Sequence, residues 1–376
     1  MVRKDEDNIY LGLQQHHGRV RRVVLRAPSL SLSIWLELMN KVFPRLEVLS
    51  LFSTTAGETN LMLPETIQAP GLRSLVLHGV GLQRGLTFLS SSITLSTIAL
   101  THIGASCYFH PGQLVTQLQS LPHLEELSIG FAIPIPLPSS QGKLLPVPIP
   151  PVTLPALRQL TFRGVDIYLD NLVAQINTPL LERFSLTLLF DLTFTLVNLT
   201  EFIHRNKGFE CLVARVTFNK DGASIDIGRL NLRVNCESLD WQIDSATQVC
   251  STLRKVLSII EELTVDLDKD GMLSGWENTL DSIMWHELLL PFIRVKKLCI
   301  GTSLTLELSQ ALGSVTGGSV LELLPDLQEL DVQLEINHAK RAFSLFLESR
   351  ESVGRPVHLL VLHVRQSPRS HFGTVC

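Results

Sequence analysis

The sequence lacks the features that would direct a chain to a membrane, the secretory route or nucleic acid. No uncharged apolar run reaches the roughly 20 residues that span a bilayer, and residues 1–18, MVRKDEDNIYLGLQQHHG, have no apolar core of the kind found in signal peptides. The 32 lysines and arginines do not outnumber the 36 aspartates and glutamates, which argues against binding through phosphate contacts. We therefore expect a cytoplasmic or nuclear protein that binds neither membrane nor nucleic acid.

Cysteine and charge are also sparse. The six cysteines are scattered and form no Cys-x-x-Cys pair, which predicts free thiols rather than a disulfide framework or a zinc site. Only 18% of the residues are charged while 45% are hydrophobic, so the chain has ample material for a core. With 376 residues, we expect either two domains or one elongated repeat array.

What the sequence does contain is one short phrase, written several times. Residues 121–131 read LPHLEELSIGF, residues 154–164 read LPALRQLTFRG, and residues 324–334 read LPDLQELDVQL. The shared unit is L-x-x-L-x-L, with Val, Ile or Phe allowed in place of Leu. It occurs at Val20/Val23/Leu25, Leu46/Leu49/Leu51, Leu72/Leu75/Leu77, Leu95/Ile98/Leu100, Leu124/Leu127/Ile129, Leu157/Leu160/Phe162, Leu181/Phe184/Leu186, Ile260/Leu263/Val265, Val295/Leu298/Ile300, Leu327/Leu330/Val332 and Val357/Leu360/Leu362.

This unit predicts an α/β leucine-rich-repeat solenoid. Its last two apolar positions alternate with polar ones, as they do on one face of a short strand. Segments with helical spacing follow, such as SLSIWLELMNKVF, in which we expect Ile34, Leu38, Met39 and Val42 to face the core. We expect a horseshoe with a parallel sheet on the concave face and helices on the convex face. A doubly wound α/β domain is the alternative, although its strands do not need the leading L-x-x.

The predicted solenoid covers residues 18–364, after a polar stretch at 1–17 and before a flexible tail at 365–376. Two sections depart from the repeat. Residues 132–155 carry eight prolines and predict a stiff projecting loop, which is either a plain connector or a docking segment. Residues 190–259 fit the unit poorly, with candidate strands at ARVTF and RLNLRV, and we expect them to interrupt the coil.

One segment imitates a metal site. In DLDKDGMLSGWE, the residues Asp266, Asp268, Asp270 and Glu277 fit the calcium-loop pattern D-x-D-x-D-G-x5-E. The flanking positions lack the apolar residues of a helix pair, and IEELTV before it is typical of a strand. We therefore favour no metal site and no cofactor, and keep a calcium-responsive module only as an alternative function.

Enzyme motifs are missing from the sequence. Cys107 and His110 lie three residues apart, but no oxyanion hole or partner histidine is indicated, so we expect a buried thiol and a loop histidine. No glycine-rich phosphate-binding motif occurs between a strand and a helix. The sequence predicts a protein that is not an enzyme.

Several phrases carry a family resemblance. LQQHHGRVRRVVL, LPETIQAPGLRSLVLHGVGL, CYFHPGQLVTQLQSLPHLEELSIGF, SLDWQIDSATQV and WHELLLPFIRVKKL resemble the C-terminal repeat region of fungal F-box proteins from mushroom-forming species, from about residue 10 to residue 363. The resemblance implies a substrate receptor of a cullin ubiquitin ligase. No F-box-like stretch precedes the first repeat, so a Skp-type adaptor is expected only where an F-box is supplied elsewhere. A repeat scaffold with no ubiquitin link is the alternative.

A protein target, whose identity the sequence does not give, is expected on the concave face. The positions that flank the buried strand residues face that side. The candidate partner-binding residues there are Phe52, His78, Thr101, Glu126, Gln159, Arg163, Arg183 and Thr187. We expect aromatic and arginine side chains among them to be the anchors, because such residues dominate binding hot spots.

Overall fold

The structure is a computed structural model that describes residues 2–55, 61–82, 87–90, 92–133, 151–189, 196–236, 238–268, 282–313, 323–332 and 336–361. Its strands are β1 (Arg22–Ala27), β2 (Val48–Ser53), β3 (Met62–Leu63), β4 (Ser74–His78), β5 (Gly81–Leu82), β6 (Thr97–Ile103), β7 (Glu126–Phe131), β8 (Val152–Thr153), β9 (Gln159–Gly164), β10 (Ile176–Asn177), β11 (Arg183–Leu189), β12 (Val213–Asn219), β13 (Gly222–Ile227), β14 (Leu230–Asn235), β15 (Glu262–Leu267), β16 (Lys297–Ile300), β17 (Glu329–Val332) and β18 (His358–Val361).

Helices lie between most of the strands. They are α1 (Val2–Gln15), α2 (Ser29–Leu38), α3 (Thr87–Ser90), α4 (Pro111–Leu118), α5 (Asp166–Ala174), α6 (Val197–Arg205), α7 (Leu239–Thr252), α8 (Arg254–Leu257), α9 (Ser282–Leu289), α10 (Thr305–Gly313), α11 (Ile336–Ala342) and α12 (Ser344–Ser352). In the part of the chain that the structure describes, no helix is both long and apolar enough to cross a membrane.

The chain divides into two compact units. Unit 1 comprises Met1–Glu210 with Gly228–Asn235, and unit 2 comprises Cys211–Ile227 with Cys236–Cys376. Each unit contributes its own set of strands and helices. Residues 228–235, which contain β14, thus belong to unit 1 although the residues before and after them belong to unit 2.

Unit 1 is built on an all-parallel sheet in the order β1-β2-β4-β6-β7-β9-β11-β14. Its strands pair so that the last apolar positions of the repeats form one ladder, running Leu25, Leu51, Leu77, Leu100, Ile129, Phe162, Leu186 and Leu232. Every residue of this ladder is buried. The equivalent strands of successive repeats pair in parallel and in register, as the strands of a stacked repeat do. This confirms the predicted leucine-rich-repeat fold.

The helix faces of unit 1 agree with the sequence prediction except in α2. Leu114, Val115 and Leu118 of α4 are buried as expected. In and just after α2 the predicted face was wrong in part: Met39 is buried as expected, but Ile34 is 59% and Val42 47% exposed. Leu32 and Leu36 are buried instead. This helix is apolar on several sides, so its periodicity fits two faces, and packing on the sheet selects one of them.

The N-terminal stretch is helical. Leu13 of α1 is buried, and the backbone carbonyl of Gln14 accepts a hydrogen bond from Lys41 Nζ at 3.0 Å. The ring of His17 packs edge-on against Phe43, with 6.0 Å between ring centroids. Residues 13–17 therefore pack against the unit 1 core.

Unit 2 repeats the design with one departure. Strands β12, β15, β16, β17 and β18 are parallel, but β13 pairs with β12 in the antiparallel direction. The sequence predicted β12 and β14 inside the irregular section 190–259 and missed β13. The missed strand follows a tight turn at Lys220 and Asp221, and its sequence GASIDI lacks the repeat's leading leucine.

A buried glutamine fixes this hairpin within unit 2. Gln242 of α7 has no exposed surface, and its Nε2 donates to the carbonyl oxygens of Asn219 at 2.9 Å and Cys236 at 3.0 Å. Behind the hairpin the buried ring of Trp285 lies edge-on to Phe218, 5.5 Å between centroids. These contacts place the end of β12 against α7 and α9.

The last repeat is shifted by one residue from its predicted register. Leu360 was expected to face the core, but it is 43% exposed and pairs with Asp331, while Leu359 pairs with the core residue Leu330. The run HLLVLHV is apolar at several consecutive positions. Such a run fits both registers, and a slip of one residue exchanges the two faces of a strand.

Two predicted segments lie partly or wholly outside the described residues. The proline-rich segment 132–155 is described only at its ends, where Val152–Thr153 (β8) pairs in parallel with β10. The predicted tail 365–376 falls entirely outside them.

An aromatic cluster fills the core of unit 1 between α5 and the sheet. Tyr168 is 1% exposed, and its ring stacks on Phe162 at 5.6 Å and lies edge-on to Phe131 at 4.9 Å. The Tyr168 hydroxyl is buried without a hydrogen-bond partner among the described residues. Burial raises the pKa of this hydroxyl well above its usual value, because the ionised form has lost its hydration.

We predict that Tyr168→Phe stabilises the protein. The change keeps the stacked ring and removes a buried polar atom that lacks a partner, which is worth about 1–3 kcal/mol. Urea unfolding should show a higher midpoint than in the wild type. The control Tyr168→Leu removes the ring contacts and should unfold earlier than wild type, whereas a Tyr168→Phe protein that unfolds earlier would contradict the assignment.

Candidate partner-binding face

The outward residues of the unit 1 sheet lie in rows that run across the strands. The residue directly after the last apolar position of each repeat forms one continuous row, which we call the carboxyl-end row. It consists of Arg26, Phe52, His78, Thr101, Gly130, Arg163, Thr187 and Arg233. With adjacent strands about 4.8 Å apart, its eight members span roughly 34 Å.

The predicted residues separate into two rows. Phe52, His78, Thr101, Arg163 and Thr187 all belong to the carboxyl-end row. The other three predicted residues are in-register neighbours nearer the amino ends of the strands, where they form part of an amino-end row; these are Glu126, Gln159 and Arg183. The two rows lie four residues apart, about 13 Å along a strand.

Two arginines of the carboxyl-end row were missed by the sequence analysis. Arg26 follows Leu25 in the loosest copy of the repeat, and Arg233 follows Leu232 in the candidate strand RLNLRV. The signal was the same one that found Arg163, namely the position after the last apolar residue. Both copies depart from the repeat, so the position after the last apolar residue is harder to recognise in them.

Aromatic rings stack along one end of the row. The His78 ring lies 6.4 Å from the Phe52 ring and 5.2 Å from the His102 ring, nearly parallel to the latter. The Nδ1 atom of His78 and the hydroxyl of Thr101 lie 3.0 Å apart, within hydrogen-bonding distance. Three rings from three successive strands thus form a continuous, partly exposed surface.

A bulge in β6 puts His102 into this stack. The pairing of β6 with β7 skips one residue between Leu100 and Ile103, and His102 has the left-handed φ of 56° that non-glycine residues rarely adopt. The extra residue turns the imidazole towards His78. Strained backbone of this kind concentrates at binding and catalytic sites, and sequence periodicity gives no sign of it.

The surroundings of His78 disfavour its protonated form. Partial burial, the neighbouring His102 and Arg26 all lower the pKa of His78, in that order of size. A lowered histidine pKa means that the surroundings resist a further positive charge. An anion placed over this part of the sheet would meet no opposing carboxylate in the row.

Between the two outward rows runs a third that is small and uncharged. Its members are Val24, Ser50, Val76, Ala99, Ser128, Thr161, Ser185 and Asn231. No long side chain stands there, so a partner's backbone can approach the sheet closely along the carboxyl-end row.

The outward face of unit 2 has the opposite character. Glu262, Lys297 and Glu329 are in-register neighbours on β15, β16 and β17. Burial is the main cause of a raised pKa at Asp331, with Glu329 and Glu262 adding to it and Lys297 opposing. The cationic surface is therefore a property of the unit 1 sheet and not of the repeat in general.

The calcium-like segment begins on a strand. Asp266 belongs to β15, as IEELTV predicted, and its Oδ1 accepts a hydrogen bond from the backbone NH of Leu267 at 2.8 Å. Asp270 and Glu277 lie outside the described residues. No group of three or more candidate metal ligands occurs within the described ranges.

Cys107 and His110 have separate structural roles. Cys107 is buried against Gly81. His110 caps α4, with its Nδ1 accepting from the backbone NH of Gly112 at 3.2 Å while Gln113 Oε1 accepts from the backbone NH of His110 at 3.1 Å. Since the imidazole nitrogen is engaged by the helix terminus, the expected reading of a buried thiol and a loop histidine agrees with this geometry.

Comparison with known proteins finds distant structural likeness alone. No protein-family model and no curated protein matches the sequence. Among solved structures, the leucine-rich repeat-containing protein LegL7 from Legionella pneumophila aligns over 85% of this chain and 94% of its own, with 12% identity and a TM-score of 0.31. A similarity this low assigns no activity or partner.

Two neighbouring glycines should respond differently to substitution. A Cβ at Gly164 would lie 2.8 Å from Phe162 Cζ and 2.9 Å from Phe131 Cδ2, whereas a Cβ at Gly130 would have no neighbour nearer than 3.6 Å. We predict that Gly164→Ala costs about 1–3 kcal/mol of unfolding free energy because buried rings must move. Gly130→Ala should change it by about 0.5 kcal/mol at most. Equal losses in chemical denaturation would contradict this difference.

The histidine stack should make stability depend on pH. Since the pKa of His78 is lower in the folded state, the unfolded chain binds the extra proton first, so stability falls as pH falls through about 6.5 and below. We predict that His78→Gln reduces the loss of unfolding free energy between pH 7.5 and pH 5.5. His123→Gln, which removes an exposed histidine outside the row, is the control. An unchanged pH dependence in His78→Gln would contradict the lowered pKa of His78 in the folded state.

Proposed function

We propose that the chain is a non-enzymatic protein-interaction module whose partner docks on the outward face of the unit 1 sheet. The observation that carries the proposal is the carboxyl-end row, in which aromatic rings and arginines from successive repeats stand in register on an open surface. Residues of these two types supply most of the energy in protein interfaces, because they bury large area or form several hydrogen bonds.

The structure of unit 1 supports a binding role over a catalytic one. The row does place a histidine nitrogen beside a hydroxyl, His78 Nδ1 and Thr101 Oγ1 at 3.0 Å, but it contains no carboxylate that would orient the imidazole as a base. In unit 2, burial raises the pKa of Cys299, which keeps this thiol protonated at neutral pH and makes it a poor nucleophile.

The finer proposal is that the module recognises substrates for an F-box/cullin ubiquitin ligase. It is supported by the phrases shared with fungal F-box proteins, including SLDWQIDSATQV, which forms the helix carrying Gln242, and CYFHPGQLVTQLQSLPHLEELSIGF, which includes α4 and β7. In that role the repeats hold the target, and a Skp-type adaptor binds through an F-box that is supplied elsewhere.

Affinity purification from fungal cells followed by mass spectrometry tests both levels of the proposal. We expect a Skp-type adaptor and a cullin to co-purify with the wild type and with the double variant Arg163→Glu/Arg183→Glu. A target should be lost only from the double variant, because its charges on the sheet face are reversed. Arg45→Glu is the matched control, since Arg45 is exposed in the turn at the opposite end of β2 from Phe52.

The outcomes separate the two levels. If targets depend on Arg163 and Arg183 but no ligase subunit appears, the interaction module stands and the ubiquitin link is wrong. If every co-purifying protein binds the double variant as well as it binds the wild type, the sheet face is not the docking surface.

A further inference from the structure

We infer that the carboxyl-end row of unit 1 binds an extended acidic segment of its partner protein. The inference rests on the proposed function and specifies the chemistry of the partner. It follows from four features of the face, namely its charge, the pairing of charges elsewhere on the sheet, its ring stack and its length.

The row carries arginines and no acidic residue. The arginines that stand in it are Arg26, Arg163 and Arg233. Arg26 and Arg163 form no salt bridge with any residue in the described ranges. The carboxylate on the same face belongs to Glu126, about 13 Å away in the amino-end row.

Elsewhere on the same sheet the charges are balanced. The second position of each repeat forms a row at the amino ends of the strands, and each member's backbone NH bonds to the previous member's carbonyl. In order it reads Arg21, Glu47, Arg73, Ser96, Glu125, Arg158 and Glu182. Signs alternate along this row, and Arg158 pairs with Glu182 at 2.5 Å.

The two rows differ in how they place charged residues. Neighbouring side chains in both rows are about 4.8 Å apart, so like charges at adjacent positions would repel. In the row at the amino ends, alternating signs remove that repulsion. The carboxyl-end row has no two arginines adjacent and no carboxylate, so an anionic partner complements its positive charge, and electrostatic complementarity of this kind sets which partner binds.

The surface beside the arginines suits a peptide backbone. Gly130 leaves a gap between Thr101 and Arg163, and Ala99 and Ser128 form a low floor next to it. At the other side of the gap, the Phe52, His78 and His102 rings provide a flat surface for packing. Arginine clusters with adjacent apolar surface are a recurring way to recognise acidic motifs.

The length of the row fits about ten residues. An extended peptide rises about 3.4 Å per residue, and the row spans roughly 34 Å. A peptide with glutamate at every second position presents all its carboxylates on one side, because side chains alternate between the two faces of an extended chain.

The net charge of −4 does not oppose such binding. At physiological ionic strength charges more than about 8 Å apart are largely screened, so the nearby arginines outweigh distant acidic groups. The same screening makes binding weaken as salt is raised.

Fluorescence anisotropy with the full chain tests the inference. The probe is a fluorescein-labelled ten-residue peptide of alternating glutamate and serine, and the matched peptide has glutamine in place of glutamate. We expect the glutamate peptide to bind with a Kd of roughly 10–100 µM at low salt, as weak single-motif recognition does, and the glutamine peptide not to bind in that range.

Variants locate the site. Arg26→Glu and Arg163→Glu should each weaken binding about five- to tenfold, which is the size expected from losing one charged contact and adding one repulsion. Gly130→Glu should weaken it similarly, although it removes no native contact. Arg45→Glu should bind like the wild type. Thermal unfolding of each variant shows that the fold is retained.

Three results would overturn the inference. They are equal binding of the glutamate and glutamine peptides, an equal loss in Arg45→Glu and Arg163→Glu, and tighter binding of a ten-nucleotide uridine RNA that displaces the peptide. If the peptides fail while a co-purified target still depends on Arg163 and Arg183, the inference is wrong and the proposed function stands. If that target dependence is missing as well, both are wrong.

Discussion

In-register hydrogen bonding between equivalent strands is the interaction on which the rest of unit 1 depends. Each strand bonds to the strand of the previous repeat at the same position, as the backbone NH of Glu47 does to Arg21 and that of Arg73 does to Glu47. Because the register repeats, any residue type fixed at one position of the unit becomes a row across the sheet. The leucine ladder of the core and the outward rows are both consequences of this one constraint.

Because of the same register, like charges at one repeat position repel each other unless their signs alternate or they are spaced apart. A charged residue at a fixed position meets its equivalent about 4.8 Å away on each side. Unit 1 solves this at the amino ends of its strands by alternating arginine and glutamate. At the carboxyl ends it places arginines at intervals, separated by aromatic, threonine and glycine residues. The result is a row in which no two arginines are adjacent, so it carries charge without close repulsion.

The recurring phrase was sufficient to predict the parallel sheet, the buried ladder and most of the outward residues. It failed where apolar residues are too frequent to define a face. Ile34 and Leu360 are the two cases, and in each the alternative face or register is equally apolar. It also failed for β13, whose antiparallel pairing arises from a tight turn and not from the repeat. Periodicity carries information only where apolar and polar positions alternate.

The sequence by itself determined which residues are equivalent, since the repeat position assigns Phe52, His78 and Arg163 to one row. Only the tertiary structure decided that His102 joins them. Its place in the stack depends on a one-residue bulge with a left-handed backbone, and a bulge has no periodic signature. The division into two units likewise follows from where β14 inserts next to β11. A pairing between strands distant in sequence depends on the packing of the whole unit, which local pattern does not encode.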